Sequence, residues 1–384
     1  MILHTLLDYD VLRVIWWLLL GVLLIGFAVT DGFDLGVGTL LPFVAREDVE
    51  RRVVINTIGP IWEGNQVWLV LGGGAIFAAW PHIYAMSFSG FYLAMFAALF
   101  ALILRPVGFK YRSKRESPRW RSSWDWCLFI GGFVPSLIFG VAIGNVLQGV
   151  PFHFTPDMRM VYEGSFLGLL NPFAILCGLV SVAMLVMHGG AWLSVRTDGA
   201  VADRARRFAS IAAIATIVLY ALGGLLVWQW VGGFQWTSPH LPNSPSNPLM
   251  KTVQAGAAGG WLANYAAHPW TMLAPALGFV GALLALLGLR ARWEGLTVIF
   301  SGLSIAGIIL SVGASMFPFI VPSSTHLSSA LTVWDASSSH LTLFIMLVCA
   351  IVFVPIILAY TAWVYSVIWG KVRPHDITHG DHAY

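Results

Sequence analysis

Glu63 is the residue whose type and position most demand a chemical explanation. It stands in the string GPIWEGNQVW, Gly59 to Trp68, inside an otherwise apolar run. An ionisable group within a membrane-length stretch is costly enough to be a functional candidate by default. A helix beginning near Val53 would carry Glu63 to ~15 Å depth at 1.5 Å per residue, close to a bilayer midplane. At about 100° per residue, Asn56, Glu63 and Gln66 then share one stripe of ~80°, and such a stripe cannot face lipid. Pro60, Gly59 and Gly64 loosen the backbone beside it. Two readings follow. Glu63 is a proton-relay carboxyl fed from the cytoplasm, or a neutral acid packed by a hydrogen bond to a neighbouring helix.

Asp31 and Asp34 sit three apart in TDGFD, Thr30 to Asp34, on one face of the first apolar segment. They could form the mouth of the same proton path. The competing reading is an ion pair with Arg105, at the end of the third segment; it is the better one for Asp31, while Asp34 stays open between the two. Asp125, at the start of the fourth segment, suits a helix N-terminus.

The histidines argue against a redox centre. A b-type haem held by two histidines needs them at similar depth on facing helices. Of eleven, His188 alone lies within a span. His82, His153, His240, His268, His326 and His340 fall in or beside loops, and His375, His379 and His382 are spaced along a polar tail. The chain is therefore expected to bind no haem. Cys127, Cys177 and Cys349 lie in apolar stretches and read as small buried hydrophobes. Ser337 to Ser339 do not resemble a nucleophile site, and neither phosphate-cradling loops nor metal-ligand clusters are apparent, so no catalytic or metal residues are assigned.

The elements that must position these groups follow from composition. Of 384 residues, 58% are hydrophobic and 10% charged, against about 25% charged in soluble domains. Such a chain is not a soluble enzyme, a nucleic-acid binder or a disordered regulator. Nine stretches approach the ~20 residues a membrane helix needs: 12–36, 54–80, 84–105, 125–147, 165–189, 208–231, 271–289, 295–320 and 341–369. Seventeen of the 21 Lys and Arg residues fall in alternate connections, three (Arg13, Arg159, Lys251) on the other side, and Arg105 at a helix end. By the positive-inside rule this predicts an all-α membrane protein of nine spans, N-terminus outside and C-terminus cytoplasmic. One polytopic domain is expected to cover residues 1–384. The first apolar run is too long for a cleaved signal and no small-residue cleavage pattern follows it.

Read in order, the landmark strings are GFAVTDGFDLGVG (from Gly26), WEGNQVW (Trp62), RPVGF (Arg105), WDW (Trp124), GNVLQGVPF (Gly144), NPF (Asn171), MFPF (Met316) and WDASSS (Trp334). From about Leu7 to Tyr365 the chain resembles subunit II of the cytochrome bd family of quinol:oxygen oxidoreductases. The resemblance implies a bacterial inner-membrane complex that oxidises quinol on the outer side, reduces dioxygen to water and draws protons from the cytoplasm. It implies that haems b558, b595 and d belong to subunit I, with a small single-helix subunit alongside. It also implies lipid contacts and, in some relatives, a structural quinone whose site this sequence does not fix. The position matching Glu63 is an aspartate in some relatives, in a proton channel; Asp34 resembles an aspartate near its entrance. Trp68 matches a position near the mouth of an apolar oxygen channel. A proton-coupled secondary transporter is the alternative, although no second half matches segment 53–80. A purely structural scaffold is the other.

Overall fold

The structure is a computed structural model and describes residues 6–379; His4 and His382 lie outside that range. Helix α1, Tyr9–Val44, runs 36 residues, about 54 Å at 1.5 Å per residue and so longer than a ~30 Å hydrocarbon core. Every residue from Asp31 to Leu41 is buried, because α1 is the post around which the other helices assemble. Close approach makes this feasible. A Cβ on Gly36 would lie 2.0 Å from the Leu185 carbonyl oxygen, so only glycine lets that neighbouring helix in; small residues at contacts are how membrane helices pack tightly.

A short amphipathic helix α2, Asp48–Asn56, is closed at its start by a reciprocal capping box between Glu47 and Glu50. Then come α3 (Trp62–Ala79), α4 (Pro81–Gly90), α5 (Tyr92–Tyr111), α6 (Pro118–Gln148), α7 (Pro172–Arg196) and α8 (Gly199–Gln229). Between α6 and α7 a hairpin pairs β1 (Phe152–Phe154) with β2 (Met160–Tyr162). After α8, β3 (Gly232–Trp236) pairs with β4 (Val253–Ala258). The single turn α9 (Ala263–Ala267) precedes α10 (Leu273–Ala291) and α11 (Glu294–Met316), then β5 (Phe319–Val321) pairs with β6 (Leu331–Thr332). Helices α12 (His340–Val367) and α13 (Pro374–His379) end the described chain.

The hairpins gather at one end of the bundle. There Tyr9, Trp80, Phe152, Val321 and Leu331 share one apolar cluster. Buried Arg13 ties the loops to α1, donating to Ser337 Oγ (2.8 Å), the Ser244 carbonyl (2.9 Å) and Asp10 (2.8 Å). At the opposite end Asp125 holds Arg51 at 2.7 Å and Arg112 at 2.5 Å, and Arg204 holds Glu50.

Among the described residues eight helices are long and apolar enough to cross a membrane: α1, α5, α6, α7, α8, α10, α11 and α12. The segment expected to span 54–80 as one helix does not. It breaks between α2 and α3, at Thr57–Ile61. Pro60 has no N–H to continue the ladder, and its ring would collide with the carbonyl of Asn56, four residues back; α2 stops there. Nor is 84–105 continuous, since α4 ends at Gly90 and α5 restarts at Tyr92. The remaining helices mostly overrun their apolar stretches: α6 starts at Pro118, not 125, and α7 ends at Arg196, not 189. Asp125 is consequently not at a helix N-terminus, and it serves the two arginines instead.

Candidate functional site

The break after Asn56 sets the geometry of the polar groups. Glu63 is the second residue of α3, not ten residues into a helix, and it is exposed on the chain's surface. The expected stripe falls into two pieces, because Asn56 ends α2, where its side chain donates to the Arg52 carbonyl, while Glu63 and Gln66 begin α3. Neighbouring Asn65 points the other way, into the bundle, and is 2% exposed.

Inside, Asn65 completes a chain of buried groups drawn from four helices. Arg105 of α5 donates to both carboxylate oxygens of Asp31 at 3.0 and 2.8 Å, the bidentate geometry that suits guanidinium to carboxylate. The same guanidinium lies 3.7 Å from Asp34. Asn65 Nδ2 donates to Asp34 Oδ2 at 2.9 Å, and Tyr365 of α12 donates its hydroxyl to Asn65 Oδ1 at 2.8 Å. The other oxygen of Asp34, Oδ1, is buried without a hydrogen-bond partner. Two buried carboxylates therefore share one cation. With both ionised the group carries an uncompensated negative charge in a medium where that is expensive, and one proton on Asp34 cancels it. Chemically, such an arrangement can hold one proton, and Asn65 and Tyr365 line its side as hydrogen-bond donors.

Asn65 and Tyr365 were not singled out from the sequence. Asn65 was overshadowed by Glu63 two residues away, and nothing in the C-terminal apolar run marks Tyr365 as different from other interfacial tyrosines. Trp68, one turn further along α3, is 4% exposed and packs on Gly26 of α1, where a Cβ would meet its ring at 2.7 Å. Its indole nitrogen is buried without a hydrogen-bond partner.

His188 is the buried histidine among the described residues. Its Nε2 faces the Val29 carbonyl at 2.9 Å and Nδ1 the Ser301 hydroxyl at 2.7 Å. Both ring nitrogens are thereby engaged, and an axial haem ligand needs one of them free. The sequence shows no metal-ligand spacing, yet folding brings His153, Glu163 and His326 together at the hairpin end, with one donor atom of each within 4.8 Å of the others.

Residues 12–368 match the family model for cytochrome bd terminal oxidase subunit II. The chain belongs to that family. It is 52% identical to the probable cytochrome oxidase subunit 2 of Haemophilus influenzae, across 98% of this chain and 99% of the relative. The same identity, over the same shares, relates it to the cytochrome bd-I ubiquinol oxidase subunit 2 of Escherichia coli K12. Its fold is similar to a chain of the bd oxidase from Geobacillus thermodenitrificans, with a TM-score of 0.66 at 16% identity, covering 94% of this chain and 99% of that one. The chain is thus a multi-pass inner-membrane subunit of a terminal quinol oxidase, working with a subunit I partner.

Proposed function

We propose that within the oxidase this chain is the haem-free half that delivers protons, with Glu63, Asp34 and Asp31 along the route. The observation that carries the reading is the charge count at α1: Asp31 and Asp34 face the single Arg105, so the site balances when it holds one proton. Glu63, two residues from Asn65, lies near the same level on the chain's outer face, where a partner subunit can receive from it. Asp31 anchors Arg105, and Asp34 is the member that takes and gives the proton.

The haems of the complex, b558, b595 and d in subunit I, supply electron transfer and oxygen reduction. The full engagement of His188 supports leaving this chain without a haem. Trp68, wedged against Gly26, stands near the mouth of an apolar oxygen route in this reading, and the exposed flank of α12 is available to lipid, a quinone or a small single-helix subunit. Nine crossings complete the picture, α3 of the broken 54–80 segment supplying the ninth, with the N-terminus outside, the basic connections inside, and one membrane domain throughout. A transporter reading has less to stand on, since no second half of the chain matches segment 53–80.

The test is quinol-driven oxygen uptake by purified complex carrying Glu63→Gln, with haem bands recorded on the same sample. Intact bands and turnover lowered about tenfold or more, the scale of a missing proton-transfer group, are expected. Intact bands with unchanged turnover would leave Glu63 a packing residue.

A further inference from the structure

The cluster at the hairpin end is built more carefully than a chance meeting of loops. In the β1–β2 hairpin, Phe152 and Phe154 turn inward and are buried, so His153 between them faces out. Glu163 continues β2 by one residue, and its N–H bonds the Pro151 carbonyl at 2.9 Å. It is therefore on the same face as His153, diagonally across the ladder, where long side chains reach each other. The third member, His326, arrives from 163 residues beyond Glu163. Its strand lies against the hairpin start: Val150 N–H bonds Pro322 O at 2.9 Å and Ser324 N–H bonds Val150 O at 3.0 Å. Ser323 Oγ donates to the Phe152 carbonyl and accepts from the His326 N–H at 3.2 Å. All three backbones are pinned before any ligand arrives.

The side chains then converge. His153 Nδ1 stands 2.9 Å from Glu163 Oε1, and His326 Nδ1 stands 3.7 Å from Glu163 Oε2. The imidazole centroids are 4.6 Å apart. The first approach is close but not aligned as a hydrogen bond, and Nδ1 of His153 is buried without a hydrogen-bond partner.

We propose that His153, Glu163 and His326 form a binding site for a divalent transition-metal ion of the zinc class. Two imidazoles and a carboxylate with an open fourth position for water are a donor set that zinc accepts, at ~2.0–2.2 Å per ligand. Tetrahedral coordination at those lengths separates donors by about 3.4 Å, a value bracketed by the 2.9 and 3.7 Å separations already present. Small rotations about the side-chain bonds suffice to close the site. A bound ion clasps the 150–163 hairpin to the 322–326 segment. The same donors could instead form only an acid–base clamp between the loops.

The experiment uses the whole oxidase, stripped with a chelator, incubated with micromolar Zn²⁺ and desalted. Zinc per complex is measured by mass spectrometry, and zinc-edge X-ray absorption reads its ligands. Wild type should retain one zinc more than His153→Ala or His326→Ala, with scattering from two imidazoles, and Glu163→Gln should weaken zinc affinity by about tenfold or more. Equal retention by wild type and variants, meaning adventitious zinc only, overturns the proposal. So does a wild-type spectrum without imidazole scattering, a result that depends on no variant.

Discussion

At the scale of residues, the decisive feature is one guanidinium answering two buried carboxylates. Arg105 is 2% exposed and Asp31 fully buried, so removing the cation leaves charge stranded where water cannot reach it. Arg105→Met should cost about 3–5 kcal/mol and lower the temperature at which the complex loses its haem bands. The double variant Arg105→Met with Asp31→Asn should recover most of that loss, because the stranded charge goes with its partner; a double variant no more stable than the single one would show that the pair is not what Arg105 serves. The Arg105–Asp31 partnership was readable from the sequence because both are ionisable and both sit in apolar segments, which leaves few other choices. Asn65 and Tyr365 were not, since neutral polar residues are tolerated at many membrane positions and only the packed structure shows which one faces a carboxylate. The His153–Glu163–His326 meeting was hidden for a different reason: its members are far apart in sequence and are joined by strand pairing that no local pattern announces.

At the scale of elements, apolar run length located most of the membrane helices but missed where they bend, overrun or stop. Hydropathy reads the average over a window, whereas the end of α2 is decided by one Pro60 ring against one carbonyl. The consequence reaches function, because the break moves Glu63 from the interior of a helix to its first turn. The connections carry order of their own, in three short antiparallel strand pairs, β1–β2, β3–β4 and β5–β6, that run length does not reveal. Helix α2 also makes a prediction of its own. Burial pushes the Glu50 carboxyl up, but its hydrogen bond from Arg204 and those from the backbone N–H groups of Arg46 and Glu47 outweigh this and hold it below its ordinary range. A lowered folded-state value means stability that is present above the ordinary carboxylate pKa and lost as pH falls through the lowered one. Amide exchange across 46–57, corrected for intrinsic rates, should stay protected down to about pH 4.5 and open below it. Glu50→Gln should abolish that acid step; a step surviving in the variant would assign it to another group.

At the scale of the whole molecule, the bundle has two unlike ends. One carries the hairpins and the pinned loops, the other the arginine–carboxylate ties and most of the basic residues, and the proposed nine crossings place the second in the cytoplasm. In a background without the native cysteines, a membrane-impermeant maleimide should label Met250→Cys in intact cells and Glu116→Cys only after permeabilisation. The reverse pattern would invert the topology and remove the cytoplasmic source of protons. Helix α12, with little of its surface buried in this chain, is left to lipid or a partner, as a subunit of a larger complex requires. The proton route itself is tested most directly at Asp34. Asparagine there keeps the shape and the hydrogen bond with Asn65 while removing the excess negative charge, so Asp34→Asn should fold and assemble at least as well as wild type. Oxygen uptake by that complex, with haem bands recorded alongside, should show intact bands and turnover reduced about tenfold or more; intact bands with wild-type turnover would contradict the claim that this buried carboxyl passes protons.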